Sequence, residues 1–144
     1  VGKIDDIELP NLGMNVKTGQ PLFTVKQNNK SISFSSPVSG QVSSVNLLLK
    51  EDLESLDTTP YDRNWFCVID ADNMDSEIAN LKIGKAAVSF FQEDIEKFRA
   101  TISKYLTKND VENSAKHTDD LYIGVLENLE DGDWDKITEQ FFKR

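Results

Sequence analysis

The chain has 144 residues, of which 38% are hydrophobic, and a formal net charge of −9. This length allows one ordinary domain with a small extension, and the apolar residues nowhere form the run of roughly 20 that spans a membrane. Because the acidic excess repels phosphate groups, we expect neither nucleic acid nor membrane lipid as a partner.

Few residues are available for catalysis or metal binding. The single cysteine, Cys67, and the single histidine, His117, exclude an internal disulfide and a Cys/His zinc site. We expect His117 to be solvated in a polar segment, which is a poor place for a general base. We also expect solvated surface at the acidic pairs Asp5-Asp6, Glu51-Asp52 and Asp119-Asp120. The sequence therefore predicts no catalytic residue, no metal site and no enzyme.

The first half of the chain is typical of short antiparallel strands separated by turns. The predicted strands, in chain order, are residues 4–9, 22–25, a segment containing Val42 and Val45, and 65–69. A loop over 46–63 includes a short helical piece at 47–56. The unbroken apolar run at 65–69 predicts a strand buried on both faces. Since the chain starts at Val1, we expect an N-terminal portion to be missing.

One hairpin can be placed closely. If Asn28 and Asn29 form a type I′ turn, the cross-strand pairs become Gln27 with Lys30, Val25 with Ile32, and Phe23 with Phe34. A shift of one residue would send Ile32 and Phe34 to the wrong face, so the apolar pattern fixes the register.

The second half changes to a helical period. Ser76 is predicted to cap a short helix that continues through Leu81 and stops at Gly84. A longer helix over 85–106 carries an apolar stripe that must be buried: Val88, Phe91, Ile95, Phe98, Ile102 and Tyr105. After a polar linker, a final helix capped by Asp133 carries Trp134, Ile137, Phe141 and Phe142. We expect it to dock on the body of the protein or on a neighbouring chain.

Residues 1–106 resemble the H protein of the glycine cleavage system, a member of the lipoyl/biotinyl carrier fold. The resemblance rests on motifs in a set order: Ile7-Glu8-Leu9-Pro10, Gly13, Val16-Lys17, Gly19-Gln20-Pro21, Ser36-Pro37-Val38-Ser39-Gly40, Val42 to Asn46, Asp57, Pro60-Tyr61 and Trp65. It implies a mainly β, lipoyl-like barrel-sandwich hybrid of short antiparallel strands followed by C-terminal α-helices. It also implies a carrier, in which a lysine at the hairpin tip holds lipoate and shuttles an aminomethyl group between enzymes.

This chain departs from the family pattern at that lysine. Asn29 stands eight residues before Pro37, where the resemblance places the lysine, and Lys30 follows it. Lys26 replaces a glutamate of the pattern, which predicts a locally basic tip. Two interpretations remain. In the first, no cofactor is bound and the protein is a noncatalytic interaction module. In the second, Lys30 carries lipoate and shuttles an aminomethyl or other group.

The C-terminal segment, residues 107–144, is predicted to be a polar linker followed by a helical extension. It resembles the tail of divergent H-like proteins, in which a Trp-Asp pair, here Trp134-Asp135, precedes a C-terminal Phe. We expect a cytoplasmic protein whose partners are proteins, either glycine cleavage-type or redox enzymes. The extension is a candidate contact for a homo-oligomer.

Overall fold

The computed structural model describes residues 3–58, 63–106 and 124–142. The predicted linker, His117 and the Asp119-Asp120 pair lie outside these ranges. The chain divides into two compact units, one of Ile4–Leu81 and one of Val1–Lys3 with Lys82–Arg144. Across the described ranges, no helix has the length and apolar character needed to cross a membrane.

The first unit is built from antiparallel strands. Six strands occur in its described part: β1 (Asp6–Glu8), β2 (Asn15–Val16), β3 (Pro21–Gln27), β4 (Lys30–Ser35), β5 (Gly40–Val45) and β6 (Cys67–Ala71). They form two three-stranded sheets, with the orders β1-β3-β4 and β2-β5-β6. Together with the helices that follow, these sheets confirm the mainly β class with C-terminal helices.

Alternating apolar residues of these strands form the core of the first unit. Val16, Leu22 and Val42 are buried together. Phe23 packs against this cluster and stacks between Phe34 and Phe66, with ring centroids 4.9 and 4.3 Å away. Removal of this apolar surface from water stabilises the sheets from which the hairpin extends.

The prediction of a strand buried on both faces at 65–69 is wrong. β6 begins at Cys67, and the side chain of Val68 is 46% exposed while its neighbours are half-buried. Trp65 is also largely exposed. Among the described strands β6 pairs with β5 alone, at the edge of its sheet, and one face of such an antiparallel sheet can remain in water.

The connections contain short helices. A 3-10 helix covers Leu47–Lys50, α1 covers Ser55–Thr58, and α2 covers Met74–Glu77 before a 3-10 turn at Ile78–Asn80. The predicted cap at Ser76 is wrong, because the N-cap of α2 is Asn73. The Ser76 hydroxyl instead donates a 3.1 Å hydrogen bond back to the Asn73 carbonyl oxygen, an arrangement that competes with capping.

The second unit contains the long helix α3, Lys85–Ile102. Gly84 is its N-cap, with φ of 59°, so this glycine starts α3 and does not end the preceding helix as predicted. The helix ends four residues before the predicted position 106, and the Ser103 hydroxyl donates to the Arg99 carbonyl oxygen at this end. The predicted stripe is buried only at Ile102; Val88, Phe91 and Ile95 are exposed.

The last helix, α4, covers Asp131–Phe141. Its N-cap is Glu130, and not Asp133 as predicted. Asp133 lies in the first turn, where its negative charge interacts favourably with the positive end of the helix dipole. Trp134 and Ile137 are buried, and the ring of Phe141 meets Phe98 of α3 edge-on at 5.3 Å. The tail therefore packs on α3 within the second unit.

Candidate functional site at the hairpin tip

The hairpin of β3 and β4 has the register that the sequence predicts. Phe23 pairs with Phe34, Val25 with Ile32, and Gln27 with Lys30. The two residues between the strands, Asn28 and Asn29, form the turn and are called the hairpin tip below. These pairs confirm the predicted register. Only this register keeps the apolar side chains of both strands on the same face of the sheet.

The type I′ assignment of this turn is wrong. Type I′ needs a positive φ at both central residues, whereas only Asn28 has one, at 54°. A positive φ at the first central residue alone is the pattern of type II′ turns, which also join antiparallel strands closely. The change of turn type leaves the strand register unaltered.

Asn29 and Lys30 occupy different environments. Asn29 is exposed in the turn, and within residues 3–58, 63–106 and 124–142 its side chain makes no hydrogen bond or ion pair. Lys30 is the first residue of β4 and lies opposite Gln27. It is half-buried and interacts with other residues. The residue that stands free in the turn is therefore an asparagine.

Acidic residues of β1 surround Lys26, so the predicted basic character of the tip is wrong. The Lys26 ammonium forms ion pairs with the carboxylates of Glu8 and Asp6, the second at 3.8 Å. The hydrogen bond that Lys26 donates to Glu8 and the negative charge of Glu8 raise the pKa of Lys26 above its ordinary value. Asp5 lies beside the same strands. The positive charge of Lys26 is thus paired with carboxylates of the neighbouring strand.

Asp5 also contacts the tip directly. Its Oδ2 accepts a hydrogen bond from the backbone N–H of Asn28, and its own N–H donates to the Lys26 carbonyl oxygen at 3.0 Å. Asp6 accepts the N–H of Ile7 at 2.8 Å. The Asp5-Asp6 pair is therefore not only solvated surface, as predicted, because both carboxylates bind the hairpin or its neighbouring strand.

The turn from Ser36 to Gly40 leads from β4 to β5 and is tightly packed. The Ser36 hydroxyl donates to the Val38 carbonyl oxygen at 2.6 Å. Gly40 pairs with Ala71, and a Cβ atom at Gly40 would lie 2.1 Å from the Asp70 carbonyl oxygen. Only a residue without a side chain allows the two backbones this approach.

Glu77 fastens this turn from α2, a role that the sequence analysis missed. Its carboxylate accepts hydrogen bonds from the Ser39 N–H at 2.8 Å, the Ser39 hydroxyl at 2.6 Å and the Thr18 hydroxyl at 2.9 Å. The bonds from Ser39, followed by that from Thr18, lower the pKa of Glu77 below its ordinary value. No local sequence signal joins residues this far apart in the chain.

Cys67 is the candidate for catalysis that lies within the described residues. Cys67 lies on β6 with its side chain half-buried, and burial raises the pKa of its thiol, which lowers the fraction of reactive thiolate. Over the part of the chain that the structure describes, no cluster of three His, Cys, Asp or Glu side chains is arranged to hold a metal ion.

The first 94 residues of the chain are similar to a known protein family. The family model described as "Glycine cleavage H-protein" matches residues 1–94. The chain belongs to the glycine cleavage H-protein family. The H protein of Teredinibacter turnerae is 30% identical over 94 residues, which cover 65% of this chain and 72% of that protein.

Two other relatives align with this chain over a smaller share of their own length. An H-like protein of Chlamydia muridarum is 35% identical over 69 residues, which cover 48% of this chain and 59% of that relative. The chain thus spans little more than half the length of this relative. A crystal structure of the H protein from Mycobacterium marinum aligns with a TM-score of 0.47 and 25% identity, covering 50% of this chain and 57% of that one.

Proposed function

We propose that this H-family protein is a noncatalytic protein-interaction module that lacks a lipoyl-lysine at its hairpin tip. The observation that carries the proposal is the exposed Asn29 in the turn. Lipoate is attached by an amide bond to an amine, and a side-chain carboxamide has no basic amine to acylate. The tip therefore keeps the shape of a carrier hairpin without the group that would accept the cofactor.

The position of Lys30 supports the same proposal. A carrier arm must stand clear of the sheet, so that the attaching enzyme and the later partners reach it. Lys30 instead starts β4 opposite Gln27, is half-buried and shares a face with the buried Ile32.

The alternative is a lipoyl carrier that uses Lys30 and shuttles an aminomethyl or other group. One observation favours it, because Lys30 directly follows the two turn residues and is the lysine nearest to the tip along the chain. In this alternative Lys30 is lipoylated through an altered turn.

The partners that we propose are proteins, namely enzymes of the glycine cleavage type or redox enzymes. We place the encounter in the cytoplasm, where a lone thiol such as Cys67 stays reduced. We further propose that residues 1–106 form the H-protein-like domain and that residues 107–144 are an extension that joins copies of the chain.

The test is co-expression with a lipoate ligase and lipoate, followed by intact-mass measurement and peptide mapping. We expect the wild-type chain to keep its unmodified mass, while Asn29→Lys gains one lipoyl group and retains it when Lys30 is also changed to arginine. An H protein that carries the family lysine is the positive control. Lipoylation of the wild-type chain at Lys30, lost in Lys30→Arg, would contradict the proposal and establish the alternative.

A further inference from the structure

The hairpin tip is held by a carboxylate from outside the hairpin. The Asp5 N–H bonds to the Lys26 carbonyl oxygen and extends the pairing of β1 with β3 by one residue towards the tip. This pairing brings the Asp5 carboxylate to the Asn28 N–H, which donates to its Oδ2. A strand that is distant in sequence thereby contacts the first residue of the bend.

The Asn28 N–H has no other role in a turn of this kind. In a two-residue hairpin turn, the closing hydrogen bond joins the residues on either side of the central pair, here Gln27 and Lys30. The N–H of the first central residue would otherwise be left to water. A carboxylate is a stronger acceptor than a neutral oxygen, because its charge strengthens the hydrogen bond.

The backbone of Asn28 needs this support. Its φ of 54° lies in the left-handed region, which asparagine tolerates better than most residues but still adopts at a cost. An alternative conformation at Asn28 would turn the following peptide and redirect the side chain of Asn29. Since Asn29 makes no bond of its own to the described residues, its direction depends on the bend.

We propose that Asp5 is the positioning residue of the hairpin tip. Its carboxylate holds Asn28 in the left-handed conformation and so fixes the direction in which Asn29 faces a protein partner. The inference rests on the proposed function of the tip as the point of partner contact. The neighbouring carboxylates act differently, because Asp6 and Glu8 bind Lys26 and do not bond to the turn.

The test is amide hydrogen exchange measured by NMR on the full chain, with Asn28 as the reporter. We expect exchange at Asn28 to be about tenfold faster in Asp5→Ala, since one charge-assisted hydrogen bond is lost. Asp5→Asn should restore most of the protection, because its amide oxygen still accepts. Asp6→Ala is the matched control and should leave Asn28 unchanged, as should the amide of Ile32 in every variant.

A second measurement reports the conformation itself. The coupling constant between the amide and α protons of Asn28 depends on φ, and we expect it to change in Asp5→Ala and return towards the wild-type value in Asp5→Asn. Equal exchange at Asn28 in wild type and Asp5→Ala, or the same loss in Asp6→Ala, would overturn the proposal. Both measurements use the unmodified chain, so lipoylation of Lys30 would contradict the proposed function without affecting this result.

Discussion

The two turns that flank β4 differ in how far the fold determines their residues. At the hairpin tip, Asn29 is exposed and makes no bond to the described residues, so packing does not determine which residue stands there. At the turn from Ser36 to Gly40, the backbone of β6 approaches so closely that a Cβ on Gly40 would overlap it. One turn is therefore free to change its chemistry, while the other is not.

This difference separates family membership from carrier function. In the motif from Ser36 to Gly40, the sheet requires a buried serine at one end and a residue without a side chain at the other. This motif therefore indicates the fold. Whether the protein carries a cofactor depends on the tip, where the fold imposes little. Substitutions below the tip should therefore cost far more stability than substitutions in it.

The largest expected effect is that of a charge placed in the strand below the tip. Ile32→Asp puts a carboxylate at a position that is 5% exposed and faces Val25, so we expect a loss of about 4 kcal/mol in the free energy of unfolding. Ser31→Asp is the matched control, because the adjacent residue is exposed and lies opposite Lys26. Denaturant unfolding distinguishes the two variants. Similar stabilities would refute the assignment of Ile32 to the buried face of β4 and Ser31 to the exposed face.

A smaller loss is expected from a single methyl group at the second turn. Gly40→Ala forces β5 and β6 apart, because the new Cβ would lie 2.1 Å from the Asp70 carbonyl oxygen. We expect a cost of about 3 kcal/mol in the free energy of unfolding. Gly132→Ala, in α4, is the control, because no described atom other than those of its chain neighbours and its own helix backbone lies within 4 Å of the new Cβ. If Gly40→Ala unfolded at the wild-type denaturant concentration, the close approach described here would be wrong.

A moderate and pH-dependent effect is expected at Glu77. Because hydrogen bonds lower its pKa in the folded state, its contribution to stability is present above the ordinary value of 4.5 and is lost as the pH falls through the lowered value. Glu77→Gln should therefore be less stable than wild type at neutral pH, and the difference should shrink in acid. Thermal unfolding across this range measures it.

Glu54→Gln is the control for this pH series, since it removes an equal charge from an exposed side chain that bonds to none of the described residues. A difference between wild type and Glu77→Gln that stays constant down to acid pH would show that the carboxylate charge plays no part in fastening the turn.

The smallest effect is expected in the tip itself. Asn29→Ala removes a side chain that has no partner among the described residues, at a position whose φ is not positive, so the free energy of unfolding should change by about 0.5 kcal/mol or less. The measurement is the same denaturant unfolding. A loss as large as that of Gly40→Ala would mean that the fold constrains the tip, and the contrast between the two turns would disappear.

The sequence was most informative where a repeating local pattern coincided with burial. The alternation of Val25 and Ile32 with polar neighbours was enough to set the hairpin register, since one residue of slip would send Ile32 to the face opposite Val25. The end of α3 and the caps of α2 and α4 were misplaced, because several neighbouring residues can accept or donate at a helix end and tertiary contacts select among them.

The contacts that define the site could not be predicted from the sequence. Asp5 meets Asn28, and Glu77 meets Ser39, only after the strands have paired, so no spacing in the chain signals either contact. The charge of the tip was misjudged for the same reason. The sequence alone indicates an unpaired cation at Lys26, whereas the pairing of β1 with β3 places Glu8 beside it.

The most direct test of the central claim is the mass of the protein isolated from the cells that make it. If the tip has lost the carrier arm, the peptide that spans Lys26 to Lys30 will have the mass of its unmodified residues in every molecule. A fraction of that peptide heavier by one amide-linked lipoyl group, with the group located on Lys30, would contradict the claim.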